Sequence, residues 1–165
     1  MTSNLFIPSF PRRRESKSKE KCMILGVGID LVSVERFKRW TTYSPAQLAR
    51  VFSDAELCDC TDAAGVLDPA KLATRFAAKE AFFKALSAAL VNLDKTEQTF
   101  SLLWLCRHAQ VKLGTWGVPV LVVDWAAIEQ HIGSPLSKTA VHLSLSHEKE
   151  YACAVVDLEC ADPAQ

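Results

Sequence analysis

Three side chains in this sequence could together perform metal-assisted phosphate chemistry: Asp30, Glu80 and Lys84. Asp30 ends an apolar run, residues 23–29, that is typical of a buried strand. Glu80 and Lys84 are four residues apart in a segment with helical character, so they are neighbours on one helix surface. Two carboxylates about 4 Å apart repel each other by roughly 4 kcal/mol at an effective dielectric of 20, and this repulsion must be offset by a shared proton, a basic neighbour or a divalent cation. A lysine one helical turn away would then face phosphate oxygens bound to the same cation.

An ordinary ion pair between Glu80 and Lys84 is the simpler interpretation of their spacing. Such an exposed pair within one helix contributes roughly a few tenths of a kcal/mol and has no catalytic meaning. The two interpretations differ in whether Asp30, far upstream in the chain, folds against this helix.

The helix that carries Glu80 and Lys84 is predicted over residues 69–90. It is rich in Ala, Leu and Lys, contains no glycine or proline after Pro69, and has Asp68 in position to cap its first turn. Glu80 lies at the edge of an apolar stripe and Lys84 just beyond it. The stripe, which we expect to face a core, consists of Leu72, Phe76, Phe83, Leu86 and Leu90.

Gly26 and Gly28 lie in the strand that precedes Asp30. They do not form a dinucleotide-binding turn, because the third glycine of G-x-G-x-x-G would have to be Leu31. We expect them to let another backbone approach the strand closely.

The remaining elements predict an α+β fold in which the long central helix packs on an antiparallel sheet. Helices are expected over 33–40 and 45–51, from Ser53, which forms a capping box with Glu56, and over 124–132. Strands are expected over 100–106, 110–113, 118–123, 141–146 and 151–158. In 141–146, apolar and polar residues alternate, so one face of that strand is buried. Strands that follow a block of helices are typical of the α+β class.

The sequence predicts a single domain, residues 23–160, between two tails, and the first tail differs from the rest of the chain in charge. Residues 1–22 carry six basic and two acidic side chains, a net charge of +4, while the remainder carries 13 basic and 17 acidic, a net charge of −4. A net-acidic body argues against a nucleic-acid-binding protein. The basic tail is expected to be disordered. It is either an arm that binds nucleic acid or a membrane surface, or a segment absent from the natural protein because translation starts at Met23. We favour the second. Residues 161–165 form the second tail.

Cysteine usage and hydropathy indicate a cytoplasmic protein without a membrane span. The six cysteines include no C-x-x-C pair, and free thiols suit a reducing compartment. No run approaches the roughly 18 apolar residues that a membrane-spanning helix needs.

Three segments resemble the holo-[acyl-carrier-protein] synthase type of 4′-phosphopantetheinyl transferase. They are GVGIDLV at 26–32, RFAAKEAFFKA at 75–85 and VHLSLSH at 141–147, the last followed by Tyr151 and Ala152. The likeness runs from about residue 23 to residue 159. It implies transfer of 4′-phosphopantetheine from coenzyme A to a serine of apo acyl carrier protein, with release of adenosine 3′,5′-bisphosphate, in support of fatty-acid biosynthesis. It also implies Mg²⁺ and a homotrimer with active sites between subunits.

The resemblance also implies roles for individual residues. Asp30 and Glu80 would bind the metal, Lys84 would contact the phosphates and assist the leaving group, and Glu80 or a water it orients would take the serine proton. Further contacts to coenzyme A are implied for Arg75, Lys79 and His147. Docking of the acidic carrier is implied for Arg36, with Arg39 and Arg50 in the same basic strip.

Two departures from the family pattern concern the coenzyme. The family often has a Gly-Thr-Gly turn after the central helix, whereas residues 87–92 contain no glycine, so the helix is expected to run longer. Val118 replaces the lysine of a Gly-Lys-Pro sequence, which removes one expected phosphate contact.

Other functions remain open from the sequence. The carrier could serve polyketide or peptide synthesis. The chain could instead be a non-catalytic module that binds carrier protein, although retention of Asp30, Glu80 and Lys84 argues against this. A metal-dependent phosphohydrolase would use the same two carboxylates with water as the nucleophile.

Overall fold

The structure, a computed structural model, describes residues 22–95, 97, 99–136 and 138–161. The strands are β1 (Cys22–Ser33), β2 (Ala109–Leu113), β3 (Pro119–Val123), β4 (Thr139–His147) and β5 (Tyr151–Ala161). The helices are α1 (Val34–Lys38), α2 (Pro45–Leu48), α3 (Asp54–Cys60), α4 (Pro69–Asn92), α5 (Leu102–Leu105) and α6 (Trp125–Ile132), with 3₁₀ turns at Arg39–Thr42 and Thr115–Gly117. Within these ranges no helix combines the length and the apolar character that crossing a bilayer requires.

The strands form two antiparallel sheets around the long helix α4. The larger has the order β1-β5-β4, and β2 and β3 form a separate hairpin. Helix α4 packs across β1 and β5 and also contacts α1, α3, α5, β2 and β4. This arrangement confirms the predicted α+β class with a long central helix on an antiparallel sheet.

The contact between β1 and α4 depends on the two glycines of β1. A Cβ atom added to Gly28 would overlap the carbonyl oxygen of Ala81, and one added to Gly26 would overlap that of Ala85. The expectation of a close backbone approach is therefore confirmed. Because no side chain separates the two backbones, Asp30, which follows Gly28 by two positions in β1, is held directly against α4.

Helix α4 begins as predicted but is buried more completely than one apolar stripe would require. The Asp68 carboxylate accepts hydrogen bonds from the backbone amides of Ala70 and Lys71 at 2.8 and 3.3 Å. The helix ends at Asn92, two residues beyond the prediction. Its alanines, which lie between the large apolar side chains, are buried as well because the sheet and the short helices cover different sides of it.

Two local predictions were wrong. Residues 100–106 do not form a strand but contain α5, which Ser101 caps by accepting a hydrogen bond from the Trp104 amide at 3.2 Å. Short apolar runs do not distinguish a strand from a helical turn, and the N-cap serine was the available signal. Asp30 lies inside β1 rather than at its end, because β1 continues to Ser33.

The predicted capping box at Ser53 and Glu56 and the hairpin between β4 and β5 are confirmed. Strands β1 and β5 each extend one residue beyond the predicted domain of 23–160, to Cys22 and Ala161. The predicted tails otherwise lie outside the described residues.

Candidate active site

Asp30 and Lys84 meet where β1 crosses α4. Asp30 pairs with Ala154 of β5, and its side chain is 7% exposed on the helix-facing side of the sheet. Nζ of Lys84 donates hydrogen bonds to Oδ1 of Asp30 at 2.8 Å and to the carbonyl oxygen of Ile29 at 2.9 Å. The Lys84 side chain is half exposed, so the ammonium faces both the buried carboxylate and solvent.

The second oxygen of Asp30 is the unusual feature of this site. Oδ2 is buried and has no hydrogen-bond partner among the described residues. Glu80 lies beside Asp30, and its partial burial, the negative charge of Asp30 and a side-chain hydrogen bond to Asp30 that requires Glu80 to be protonated raise the pKa of Glu80. The positive charges of Lys84 and Arg36 act in the opposite direction but do not cancel this effect. Two carboxyl groups therefore compete for a proton or a cation at one point.

These residues fit a hard divalent cation. An unpartnered buried carboxylate oxygen is costly unless a cation or donor meets it, and Glu80 supplies a second oxygen ligand at the same place. No cluster of three or more His, Cys, Asp or Glu side chains suited to a metal occurs in the part of the chain that the structure describes. An ion here would have two protein carboxylates and would complete its coordination with water or substrate oxygens, as Mg²⁺ usually does.

The basic residues expected to dock a partner lie in α1 (Arg36), at the start of the following 3₁₀ turn (Arg39) and just after α2 (Arg50). The Arg36 guanidinium lies over aromatic rings and its positive charge lowers the pKa of Glu80, so this residue is part of the surroundings of the acid pair. Arg39 and Arg50 are exposed. Arg50 borders a cavity of about 240 Å³ that is lined by Trp40, Tyr43, Gln47, Val51 and Leu103.

His147 lies at the end of β4, on the same side of the sheet as Asp30. It pairs with Ala152, which pairs with Val32 of β1. Two strand spacings and two residues of rise separate its backbone from that of Asp30 by roughly 12 Å. The structure does not bring His147 to the acid pair, although an extended ligand could reach both.

Lys79 is not in the site, which corrects the expectation that it contacts the coenzyme. The side chain is 1% exposed, and Nζ donates to the carbonyl oxygens of Val51 and Cys106 at 2.7 and 3.0 Å and to Oε2 of Glu56 at 2.8 Å. All three ammonium protons are thus used inside the protein. Lys79 is also about 140° around the helix axis from Lys84, so the two lysines face different surroundings.

Arg75 is also buried away from the acid pair. Its guanidinium approaches Oδ2 of Asp59 at 3.5 Å and the carbonyl oxygen of Lys71 at 3.4 Å, at the carboxyl-terminal end of α3. Five residues separate it from Glu80 on the helix, so it too faces roughly the opposite side. This position favours a structural role, with a cation at the negative end of a helix.

Two features, one of the core and one beside the site, were missed from the sequence. Glu56 is fully buried and accepts hydrogen bonds from Lys79 and from the Val111 amide at 2.9 Å. Its only sequence signal was the capping box, which explains one of its contacts. The rings beneath Arg36 were also missed, because nothing in the sequence relates Phe76 to a residue 40 positions upstream.

Comparison with known proteins agrees with this geometry. Residues 26–156 match the family model of the 4′-phosphopantetheinyl transferase superfamily. The holo-[acyl-carrier-protein] synthase of Treponema pallidum (strain Nichols) is 39% identical over 137 residues, which cover 83% of this chain and 97% of that protein. The Streptomyces coelicolor protein of the same name is 38% identical over 137 residues, covering 82% and 98%.

Solved structures show the same relationship. Acyl carrier protein synthase from Mycobacterium tuberculosis superposes with a TM-score of 0.58 at 32% identity, covering 84% of this chain and 99% of that chain. A holo-(acyl-carrier-protein) synthase from Bacillus anthracis in complex with CoA (3′,5′-ADP) has a TM-score of 0.56 at 28% identity, covering 84% and 98%. The chain belongs to the 4′-phosphopantetheinyl transferase superfamily and, within it, to the holo-[acyl-carrier-protein] synthases.

Proposed function

We propose that this protein transfers 4′-phosphopantetheine from coenzyme A to a serine of apo acyl carrier protein, in support of fatty-acid biosynthesis. The observation that carries the proposal is the convergence of Asp30, Glu80 and Lys84: Lys84 binds Oδ1 of Asp30, Glu80 lies beside the same carboxyl group, and Oδ2 is buried without a hydrogen-bond partner among the described residues. Family membership supplies the class of reaction, and this convergence supplies the groups that the reaction needs.

In the reaction, the serine hydroxyl oxygen forms a bond to the phosphorus that carries pantetheine. The bond from that phosphorus to the bridging oxygen of the diphosphate breaks, and its electron pair leaves on adenosine 3′,5′-bisphosphate. Phosphoryl transfer needs positioning and charge neutralisation more than covalent help from the protein. Lys84, half exposed and held by Asp30, is placed to neutralise charge on the departing phosphate.

Glu80 is the proposed acceptor of the serine proton, directly or through a water that it orients. Burial and the neighbouring Asp30 raise the pKa of Glu80 in the metal-free protein, and a bound Mg²⁺ would act in the opposite direction and keep Glu80 ionised as an acceptor. Lys84 lies one turn further along the same helix, so acceptance of the serine proton and stabilisation of the leaving group are assigned to adjacent turns.

Mg²⁺ is the cofactor proposed for the acid pair, with Asp30 and Glu80 as its protein ligands. The ion would supply charge neutralisation on the diphosphate of coenzyme A. His147 is proposed as a further coenzyme contact, because it lies on the same side of the sheet as Asp30.

The carrier protein is proposed to dock on the basic strip Arg36, Arg39 and Arg50. The chain after residue 22 has a net charge of −4, so a local basic strip on it directs an acidic partner to one place on the surface. Arg50 and Arg36 both border Trp40, which joins the strip into one surface.

A homotrimer with active sites between subunits is proposed on the basis of the outer face of the larger sheet. This face exposes an apolar row along β1, which neighbouring copies would cover. The row consists of Val27, Ile29 and Leu31, exposed by 52%, 60% and 64%. Contiguous exposed apolar surface of this kind is typical of an interface. Analytical ultracentrifugation tests this, and Ile29→Lys is expected to shift the protein to monomers.

A cytoplasmic location is also proposed. Four cysteines, Cys58, Cys60, Cys106 and Cys153, form no disulfide among the described residues. Burial raises the pKa of Cys60 and of Cys106 to about 11, so both stay protonated and unreactive. Free thiols of this kind suit a reducing compartment.

Intact-protein mass spectrometry tests the transfer directly. Apo acyl carrier protein incubated with coenzyme A, Mg²⁺ and the protein is expected to gain the mass of one phosphopantetheine group, and not to gain it with EDTA. A non-catalytic binding module would give no gain, and a phosphohydrolase would consume coenzyme A without modifying the carrier. Glu80→Gln is expected to remove most turnover while the fold is retained, and near-normal turnover would exclude Glu80 from the mechanism.

A further inference from the structure

Three aromatic rings surround the guanidinium of Arg36. Its Cζ atom lies 5.0 Å from the ring centroid of Phe76, 5.6 Å from that of Phe37 and 5.9 Å from that of Trp40. The rings also pack on one another, with centroids 5.3 Å apart for Phe37 and Phe76 and 5.4 Å apart for Trp40 and Phe76. We call these three rings the Arg36 cage. Its members come from α1, the following turn and α4, so only the folded chain assembles it.

The cage leaves the hydrogen-bonding capacity of Arg36 unused. Within residues 22–161 as described, the guanidinium lies on ring faces and makes no hydrogen bond or ion pair, although the residue is exposed. Lys38, two residues later, is instead paired with Glu35 at 2.6 Å. Arg36 is therefore a restrained cation whose donors remain available to a carboxylate or phosphate.

The cage also connects Arg36 to the acid pair. Phe76 precedes Glu80 by four residues on α4, so the two side chains are neighbours on the same helix face. Phe76 itself is 4% exposed and is therefore covered from any docking partner.

We propose that Phe76, together with Phe37 and Trp40, is a positioning residue that holds the Arg36 guanidinium beside the acid pair, ready to bind a carboxylate of the carrier protein. An unrestrained arginine loses rotamer freedom when it binds, so holding it in place beforehand strengthens docking. The inference rests on the proposed docking role of Arg36 and deepens it, since it assigns part of the affinity for the carrier to a buried ring.

A double-mutant cycle on the full chain tests the cage. Phe76→Leu keeps an apolar side chain but removes the ring face, and it is expected to raise KM for the carrier about two- to fivefold, with kcat and KM for coenzyme A close to wild type. In an Arg36→Gln background the same change is expected to have no effect on KM for the carrier. Phe82→Leu is the matched control, because Phe82 is buried in the same helix and its ring pairs with Trp125.

Two results would overturn the inference while leaving the proposed function in place. In the first, Phe76→Leu raises KM for the carrier equally with Arg36 and with Arg36→Gln. In the second, Phe82→Leu raises KM for the carrier as much as Phe76→Leu does, which would mean that either change loosens the core in general. A wild-type protein that modifies no carrier overturns the proposed function and this inference with it.

A spectroscopic measurement tests the geometry without any activity. The side-chain proton resonances of Arg36 are expected to be displaced by ring currents in the free protein and to return toward ordinary values in Phe76→Leu. Undisplaced resonances in the wild type would contradict the cage. If Phe76→Leu does not fold, Trp40→Leu replaces it in the cycle, and Trp40→Phe, which keeps a ring, is then expected to restore KM.

Discussion

Replacement of Lys79 by methionine tests the division of labour between the two lysines of α4. Methionine matches the length of the buried stem but removes the ammonium that meets Val51, Cys106 and Glu56. Glu56 would keep its hydrogen bonds from the amides of Ser53 and Val111, both at 2.9 Å, but would become a buried carboxylate without a counter-charge. Removing one partner of a buried ion pair costs about 3–5 kcal/mol.

This cost is measurable by urea unfolding followed through tryptophan fluorescence. With a slope of about 2 kcal/mol per molar urea, the midpoint of Lys79→Met is expected to fall by roughly 2 M. The double variant Lys79→Met/Glu56→Gln removes both charges while a side-chain oxygen can still accept from the Ser53 amide. It removes the unpaired buried charge, so it is expected to lose less stability than Lys79→Met alone, although glutamine has one acceptor oxygen for the amides of Ser53 and Val111 and two carbonyl groups keep no donor.

The structural role predicts two outcomes together. The double variant is more stable than Lys79→Met alone, and the rate of phosphopantetheine transfer per folded molecule stays close to wild type in both. If Lys79→Met instead unfolds at the wild-type midpoint while transfer collapses, Lys79 contacts substrate and its burial between α3 and α4 does not describe the working protein. Lys84→Met is the matched comparison. Because the Lys84 side chain is half exposed, its replacement is expected to reduce the rate of transfer with little change in the free energy of unfolding.

Four further predictions follow from the packing and charge of the site. Because the pKa of Glu80 is raised, its contribution to stability is present below the pKa that it has in the unfolded chain and is lost as pH rises through the pKa of the folded protein. In EDTA, Glu80→Gln should therefore melt at a higher temperature than the wild type at pH 8. The two melting temperatures, measured by differential scanning fluorimetry, should converge near pH 4. Added Mg²⁺ should raise the melting temperature of the wild type more than that of Glu80→Gln, and an equal rise would argue against Glu80 as a ligand. Gly28→Ala should lower the free energy of unfolding by about 2–3 kcal/mol in urea titrations, because its Cβ meets the backbone of Ala81, and an unchanged midpoint would contradict the close approach of β1 to α4. Arg36→Glu should weaken carrier binding in calorimetry far more than coenzyme A binding, most strongly at low salt, whereas equal effects on both ligands would remove the basic strip as the docking surface.

Local sequence patterns were sufficient for most of the secondary structure. Helix α4 was predictable because Asp68 and Pro69 mark its start and no glycine or proline interrupts it. The alternation along β4 gave the correct buried face, because successive strand side chains point to opposite sides. Where such a signal was weak, as in the short apolar run around α5, the prediction was wrong.

The sequence by itself determined which residues could do the chemistry: Asp30, Glu80 and Lys84 occur in segments whose types and order resemble one transferase family. Only the tertiary structure decided how the lysines of α4 are used. Periodicity assigns Lys79 and Lys84 to different faces of the helix, but what covers each face depends on where distant elements pack. Glu56 of α3 encloses Lys79, whereas the glycines of β1 bring Asp30 to Lys84. A charged group becomes structural or catalytic according to the partners and solvent that the fold places around it, and those partners are far away in the chain.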